Sequence, residues 1–304
     1  MISVLLSVYN GDKFLAKAID SVLCQEFYNF EFIIVNDGST DQSQKIIDYY
    51  AKKDERIKSI SISNSGLANG LNHGLKFCKF DIIARIDADD IWLPNKLNIQ
   101  YAHFKKNNLD LCCTGFYVND PDKALKKYFP TFFCSKGLLK SLWRLNPGVA
   151  HSSLMYNKNM MYENSRYRAF FKTAEDFDLL ILFAKYYRCG SVREPLVVIN
   201  KFDDSISAKI GAVGQKLDAI MALGYSEELF AIPESALNSN RSIKSVELRK
   251  KIHLKIMQHQ LGKTLKNKYI NKQRSIFSLK RVIAELSFLY FRIRLKHKIF
   301  GIFR

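Results

Sequence analysis

The sequence predicts an α/β protein built on a mainly parallel sheet flanked by helices. Over the first 120 residues, short apolar runs alternate with segments whose apolar residues recur at helical spacing. Several of the runs stop at polar turns rich in Asn, Asp and Gly. The chain has 304 residues, 47% hydrophobic and 25% charged, which is enough to bury a core.

Ile2–Val8 is the first expected strand, closed by the turn Asn10-Gly11-Asp12. Phe14, Ala18, Ile19, Val22 and Leu23 then mark one face of a helix. Phe30–Val35 is the second strand, ending at Asn36-Asp37-Gly38, and Ser39-Thr40-Asp41 offers N-cap candidates for a helix through Ile46, Ile47 and Tyr50. Ile57–Ile62 alternates as a third strand. Ser65-Gly66 opens a helix carrying Leu67, Leu71 and Leu75. Asp81–Ile86 is the fourth strand, and Pro94 stands near the start of a helix running to about Asn107. Leu111–Phe116 is the fifth strand. From 120 to 170 the pattern loosens around Pro121, Pro130 and Pro147. Glu175–Tyr187 resumes as a helix and Val192–Ile199 as a strand, with a turn at Asp203-Asp204-Ser205. Beyond about 210 the chain reads as helices.

Charge divides the chain unevenly. Of a net +18, residues 241–304 hold 18 lysines and arginines against Glu247 and Glu285, a net of +16 that leaves +2 for residues 1–240. A near-neutral body with a basic appendage points to an anionic surface as the appendage's partner. The six cysteines, at 24, 78, 112, 113, 134 and 189, include no pair with the two-residue gap of a metal knuckle or redox motif. They read as reduced thiols in a cytoplasmic chain. No apolar stretch is long enough to span a membrane, and the N-terminal run lacks the basic flank of a signal peptide.

In open α/β sheets, ligands bind beyond the carboxyl ends of the strands. Three polar clusters fall there: Tyr9-Asn10, Asp37, and Asp87-Ala88-Asp89-Asp90. In extended backbone Asp87 and Asp89 would share a face, where their carboxylates repel unless a cation lies near. Mg²⁺ typically takes one or two carboxylates plus substrate phosphates. An acidic turn can equally be a solvated loop. With Asp41 or Ser39 capping the next helix, Asp37 is left spare to accept hydrogen bonds from a base or ribose. Glu175-Asp176 opens a helix, either as favourable charge at its N-terminus or as a general base aimed into the crevice.

The chain resembles the family 2 glycosyltransferases through five segments in order. They are Ser3–Asn10, Phe32–Asp41, Gly66–Asn72, Ile83–Asp90 with Pro94, and Ala174–Leu179. The resemblance covers about residues 1–207. It implies the GT-A fold, a Rossmann-like sheet, here with a basic helical C-terminal extension. It also implies an inverting hexosyltransferase of the bacterial surface-polysaccharide type. Residues 1–210 would be the catalytic domain, with nucleotide-sugar binding in 1–120 and the acceptor part and base in 121–210. Residues 211–304 would be the basic helical, membrane-associating region.

The resemblance assigns roles residue by residue. Ser7, Tyr9 and Asp37 would hold the nucleotide, with Asp37 near the base. Asp87 would lie by the ribose or sugar. Asp89 would bind a divalent metal, Mn²⁺ or Mg²⁺. Asp176 would be the catalytic base, with Glu175 beside it. His151 matches a position near the acceptor and stays outside the catalytic set. A UDP-sugar is the expected donor and a glycan or lipid-linked molecule the expected acceptor. One departure concerns a histidine that many relatives carry before a segment like Ser205-Ile206-Ser207. Phe202 stands there instead.

Nucleic-acid binding is the first rival, but the near-neutral body and acidic crevice oppose it. A nucleotidyltransferase of similar fold is the second, yet Tyr9-Asn10-Gly11-Asp12 is not a Gly-rich basic phosphate loop. Apolar residues at 279, 282, 283, 286, 289, 290 and 293 lie on one helical face among Lys280, Arg281, Arg292, Arg294, Lys296 and Lys298. This predicts attachment to the inner face of the cell membrane, the alternative being a helix packed on the catalytic body with its basic side in water.

Overall fold

The computed structural model describes residues 1–143, 146–161, 167–169 and 174–202, together with Ala219 and Ala222. In chain order the elements are β1 (Ile2–Val8), α1 (Asp12–Leu23), β2 (Phe30–Asp37), α2 (Ser43–Lys53), β3 (Ile57–Ile62), α3 (Leu67–Leu75), β4 (Ile82–Arg85) and β5 (Ile91–Trp92). Then come α4 (Lys96–Lys106), β6 (Leu111–Asn119), β7 (Lys126–Tyr128), α5 (Ser135–Trp143), β8 (Met155–Asn157), α6 (Glu175–Tyr186) and β9 (Cys189–Asn200). A single 3₁₀ turn, His151–Ser153, precedes β8.

The nine strands form one sheet in the order β3-β2-β1-β4-β8-β6-β9-β5, with β7 on the side of β6. β1 pairs in parallel with β2 and β4, and β2 with β3. β8 enters antiparallel between β4 and β6, and β9 runs parallel to β6. The loose region 120–170 therefore contributes a strand to the middle of the sheet.

Strand alternation sorts the core into two layers. Val4, Leu6, Phe32 and Ile34 face Leu15, Ala18, Ile19 and Val22 of α1, Ile47 of α2, and Leu97 and Phe104 of α4. Leu5, Ile33 and Val35 belong to the other layer, with Ala68, Leu71 and Leu75 of α3 and Leu180, Ile181 and Ala184 of α6. Each such large apolar side chain contributes about 1.5–3 kcal/mol on burial.

Some boundaries differ from expectation. The fourth strand is shorter than Asp81–Ile86, because the chain leaves the sheet after Arg85. The fifth extends to Asn119, paired along its length with β9. On α1 it is Leu15 that is buried; Phe14 stacks instead on Phe202, centroids 3.9 Å apart. All six cysteines are free: Cys78, Cys112, Cys113 and Cys189 are buried, Cys24 and Cys134 exposed. Of the helices expected after 210, Ala219 and Ala222 are described, both helical and buried. The apolar stripe between Leu279 and Phe300, and the segment Ser205-Ile206-Ser207, lie outside the described residues. Among the described residues no helix is long and apolar enough to cross a membrane.

Candidate active site

The register aligns the carboxyl ends of β1, β2 and β4, with Val8 opposite Asn36 and Leu5 opposite Arg85. Their loops are knitted together. Asn10, with φ of 52°, donates its N–H to Ser39 Oγ at 3.0 Å and accepts the Thr40 N–H on Oδ1 at 2.8 Å. Gly11 N–H bonds Ser43 Oγ and Asp12 N–H bonds Asp41 Oδ2, each at 3.0 Å. A Cβ on Gly11 would lie 3.5 Å from Ala88 Cβ, so the β1 loop also abuts the acidic loop after β4.

Ser7 is buried on β1, while the Tyr9 ring is 54% exposed and free to stack on a planar ligand. Asp37 is buried at the end of β2 but is not spare. Its Oδ1 accepts Ser65 N–H at 2.8 Å and Ser65 Oγ at 2.9 Å, and its Oδ2 accepts Gly66 N–H at 2.8 Å. Asp37 thus fixes the entry to α3. The N-cap of α2 is Gln42, without a side-chain cap bond, rather than Ser39, Thr40 or Asp41; Asp41 bonds Ser43 N–H from one residue before that cap. The remaining lone pairs of Asp37 are what a donor could use. α3 approaches because Gly70 and Gly74 lack side chains: a Cβ on Gly70 would strike Ser7 Oγ, and one on Gly74 would stand 2.5 Å from Leu5 Cδ1.

The acidic loop is not extended. Ala88 and Asp89 form a turn, closed by Asp90 N–H to Asp87 O at 3.3 Å. The expected same-face pair of Asp87 and Asp89 is therefore corrected, and so is the reason their charges coexist. Asp87 is gripped by both terminal nitrogens of the buried Arg85. Ser152 Oγ accepts Asp87 N–H at 2.9 Å and lies 3.1 Å from Asp87 Oδ2. It also bonds Asp90. Burial opposes ionisation of Asp87, but the Arg85 charge outweighs it and holds the carboxyl below its ordinary range. Asp89 has no such cation. Burial, then the charge of Asp87, push it up to about 6. Asp90 is buried and raised well above its ordinary value by burial and by both neighbours.

A divalent cation fits the lone carboxylate of Asp89, where negative charge is in surplus. Among the described residues no three His, Cys, Asp or Glu side chains form a metal cage. A cation here would therefore take Asp89 plus oxygens of a ligand, the usual habit of Mg²⁺.

Asp176 sits half-buried on the first turn of α6, its Oδ1 accepting the Phe177 N–H at 2.6 Å. Burial raises its pKa. The 3₁₀ turn brings α6 and the acidic loop together, because Ser152 Oγ accepts Asp87 N–H and the adjacent His151 stands 4.0 Å from Glu175. Glu175 is more deeply buried, with Oε2 lacking any hydrogen-bond partner, and burial followed by the Asp176 charge raise it to about 8. His151 Nδ1 stands 4.0 Å from Glu175 Oε1, and its Nε2 bonds Tyr167 OH at 3.0 Å. Burial and Arg85 depress the imidazole well below its ordinary pKa, so both partners are mainly neutral near pH 7. The third acid of the turn, Asp178, is paired with Arg168 inside the fold.

Three site groups escaped the sequence. Ser152 joins Asp87 to Asp90 from 65 and 62 residues away. Asn200 donates Nδ2 to Asp89 O at 2.7 Å and N–H to Asp90 Oδ1 at 3.3 Å. Trp92 Nε1 holds Ser152 O at 2.9 Å. No local pattern marks such partners, since only the strand order makes them neighbours.

Comparison with known proteins places this geometry. A model of glycosyl transferase family 2 matches residues 3–174. The O-antigen biosynthesis glycosyltransferase WbnJ of Escherichia coli is 32% identical over 196 residues, covering 64% of this chain and 74% of that protein. A glycosyltransferase of Rickettsia felis is 28% identical over 222 residues, 70% of this chain and 36% of that longer relative. Among solved structures, S. aureus TarS 1–349 in complex with UDP superposes with a TM-score of 0.57 at 17% identity, covering 77% of this chain and 67% of that one. That likeness shows the GT-A fold. With the matched segment spanning the strand ends, Asp37 and the acidic loop, and stopping just before α6, the chain belongs to the family 2 glycosyltransferases.

Proposed function

We propose that this glycosyltransferase moves a sugar from a UDP-sugar to a hydroxyl of a growing glycan or lipid-linked acceptor, with inversion, in cell-surface polysaccharide synthesis. The observation that carries the reading is the turn that joins the acidic loop to the start of α6, where Ser152 bonds Asp87 and Asp90 and the adjacent His151 stands 4.0 Å from Glu175. The relatives support its two ends: WbnJ is named for O-antigen biosynthesis, and TarS has been crystallised with UDP and with UDP-GlcNAc.

Ser7, Tyr9, Asp37 and Asp87 are the donor-binding residues of this reading. Tyr9 offers an exposed ring to the base, and Asp87 is held rigid by Arg85 and Ser152. A divalent cation on Asp89, Mn²⁺ or Mg²⁺, would neutralise charge on the departing diphosphate. Asp176 accepts the proton of the acceptor hydroxyl as it attacks. Burial raises its basicity, which suits a general base working near neutral pH. One base with no covalent nucleophile corresponds to single displacement. The chain would work at the inner face of the cell membrane, held by its basic C-terminal region.

Asp176→Asn tests this reading with little change of shape. It is expected to retain UDP binding and to lower turnover by ~10²-fold or more. Transfer at a near-normal rate would assign the base elsewhere. A screen of UDP-sugars against the native enzyme identifies the donor.

A further inference from the structure

Among the described residues, the exposed leucine and phenylalanine side chains are Leu125, Phe129 and Phe133, at 57%, 40% and 67% exposure. All three fall in one short stretch around β7, with Tyr128 exposed between them. Elsewhere among the described residues such side chains are buried or half-buried, so their gathering marks a surface with a partner. Cations are interleaved with them: Lys126 and Lys127 are exposed, Lys123 is paired with Asp120, and the exposed Arg193 guanidinium lies 5.6 Å from the Phe129 ring and 5.9 Å from that of Phe133.

The stretch is anchored rather than loose. Phe132 is buried, and Ser191 Oγ holds its carbonyl. Thr131 bonds Pro147 O through both its N–H and its hydroxyl. Tyr128 stacks on Phe116 of β6, centroids 5.3 Å apart. The turn end of the hairpin also reaches the acidic loop. Asn119 Nδ2 bonds Asn200 Oδ1 at 2.9 Å, and Asn200 in turn holds Asp89 O. The Leu125 end of the apolar surface is therefore linked through Asn119 and Asn200 to the acidic loop.

We infer that this hairpin is a membrane-contact surface, with Leu125, Phe129 and Phe133 entering the interface of an anionic bilayer and the lysines meeting its headgroups. Apolar and aromatic side chains flanked by lysine are the composition that lies at such an interface. Charge complementarity selects this occupant. The chain's own C-terminal region, at +16, is basic like Lys126 and Lys127 and so does not complement them. The contact adds a second, independently placed attachment to the one expected of that region, and it would orient the crevice toward the bilayer.

The exposed cysteines supply the test in the full-length chain. Cys134 adjoins Phe133, whereas Cys24 follows the last turn of α1, outside the hairpin. An environment-sensitive fluorophore is placed on Cys134 in Cys24→Ser, or on Cys24 in Cys134→Ser, and each is mixed with vesicles of phosphatidylglycerol and phosphatidylcholine. The inference expects a blue shift at Cys134 and none at Cys24. It also expects at least about tenfold weaker vesicle binding when Leu125→Ser and Phe133→Ser are combined. Vesicle binding without a response at Cys134 would overturn it, as would no vesicle binding. A shift produced by a soluble glycan but not by vesicles would overturn it in favour of an acceptor subsite. No readout depends on sugar transfer, so failure here is separate from failure of the proposed reaction.

Discussion

Glu175→Gln should stabilise the protein in a pH-dependent way. Among the described residues Glu175 is buried, its Oε2 has no partner, and the neutral His151 stands 4.0 Å from its Oε1. Its pKa rises from an ordinary 4.5 to about 8 in the fold, with burial the largest cause and the Asp176 charge next. A folded-state pKa above the unfolded value gives stability that is complete at low pH and is lost as pH climbs through the window between the two. Each unit in that window costs about 1.4 kcal/mol, so at roughly pH 7.5 the fold carries ~4 kcal/mol for keeping this carboxyl protonated. Relaxation around the buried group reduces this to ~2 kcal/mol. Glutamine has the shape of the protonated acid and does not titrate. Urea unfolding of both proteins should therefore give nearly equal stability at roughly pH 5, with the variant ahead by ~2 kcal/mol at roughly pH 7.5. A stability difference that stays constant across this range would refute the reasoning, because it would show that Glu175 titrates normally in the fold.

Asp89→Ala should leave a folded protein with little transfer at any Mg²⁺ or Mn²⁺ concentration, and native transfer undiminished by chelator would remove the metal from the reading. Ser152→Ala withdraws a hydroxyl that joins Asp87 to Asp90 inside the fold. It should cost about 2–3 kcal/mol of stability and weaken UDP binding, both measurable by thermal melts with and without nucleotide; unchanged melts would show that the acidic loop holds itself. Removing residues 276–304 should weaken binding to anionic vesicles several-fold while transfer to a soluble acceptor analogue continues, and undiminished vesicle binding would rule that segment out as an anchor.

The alternation of strands and helices was legible because both periods are local. Val4 and Leu6 share a face opposite Leu5 in any strand, and Leu71 and Leu75 share a face in any helix. The order of the motifs was legible too, and it sufficed to place Asp37, the acidic loop and Asp176 at element ends. Element edges were less so: Arg85 was expected inside a strand that runs on to Ile86, yet the strand stops at Arg85 so that its guanidinium can grip Asp87. What only the tertiary structure decided was which charges are compensated. From sequence Asp37 looked unengaged, but Ser65 and Gly66 claim it because α3 begins beside the end of β2. Asp87 and Asp89 looked equivalent, but Arg85 and Ser152 neutralise and fix the first and leave the second with surplus charge. Strand order brings Ser152 and Asn200 to the acidic loop from far along the chain. Electrostatic energy depends on distance and burial in three dimensions, and neither is a function of spacing along the chain.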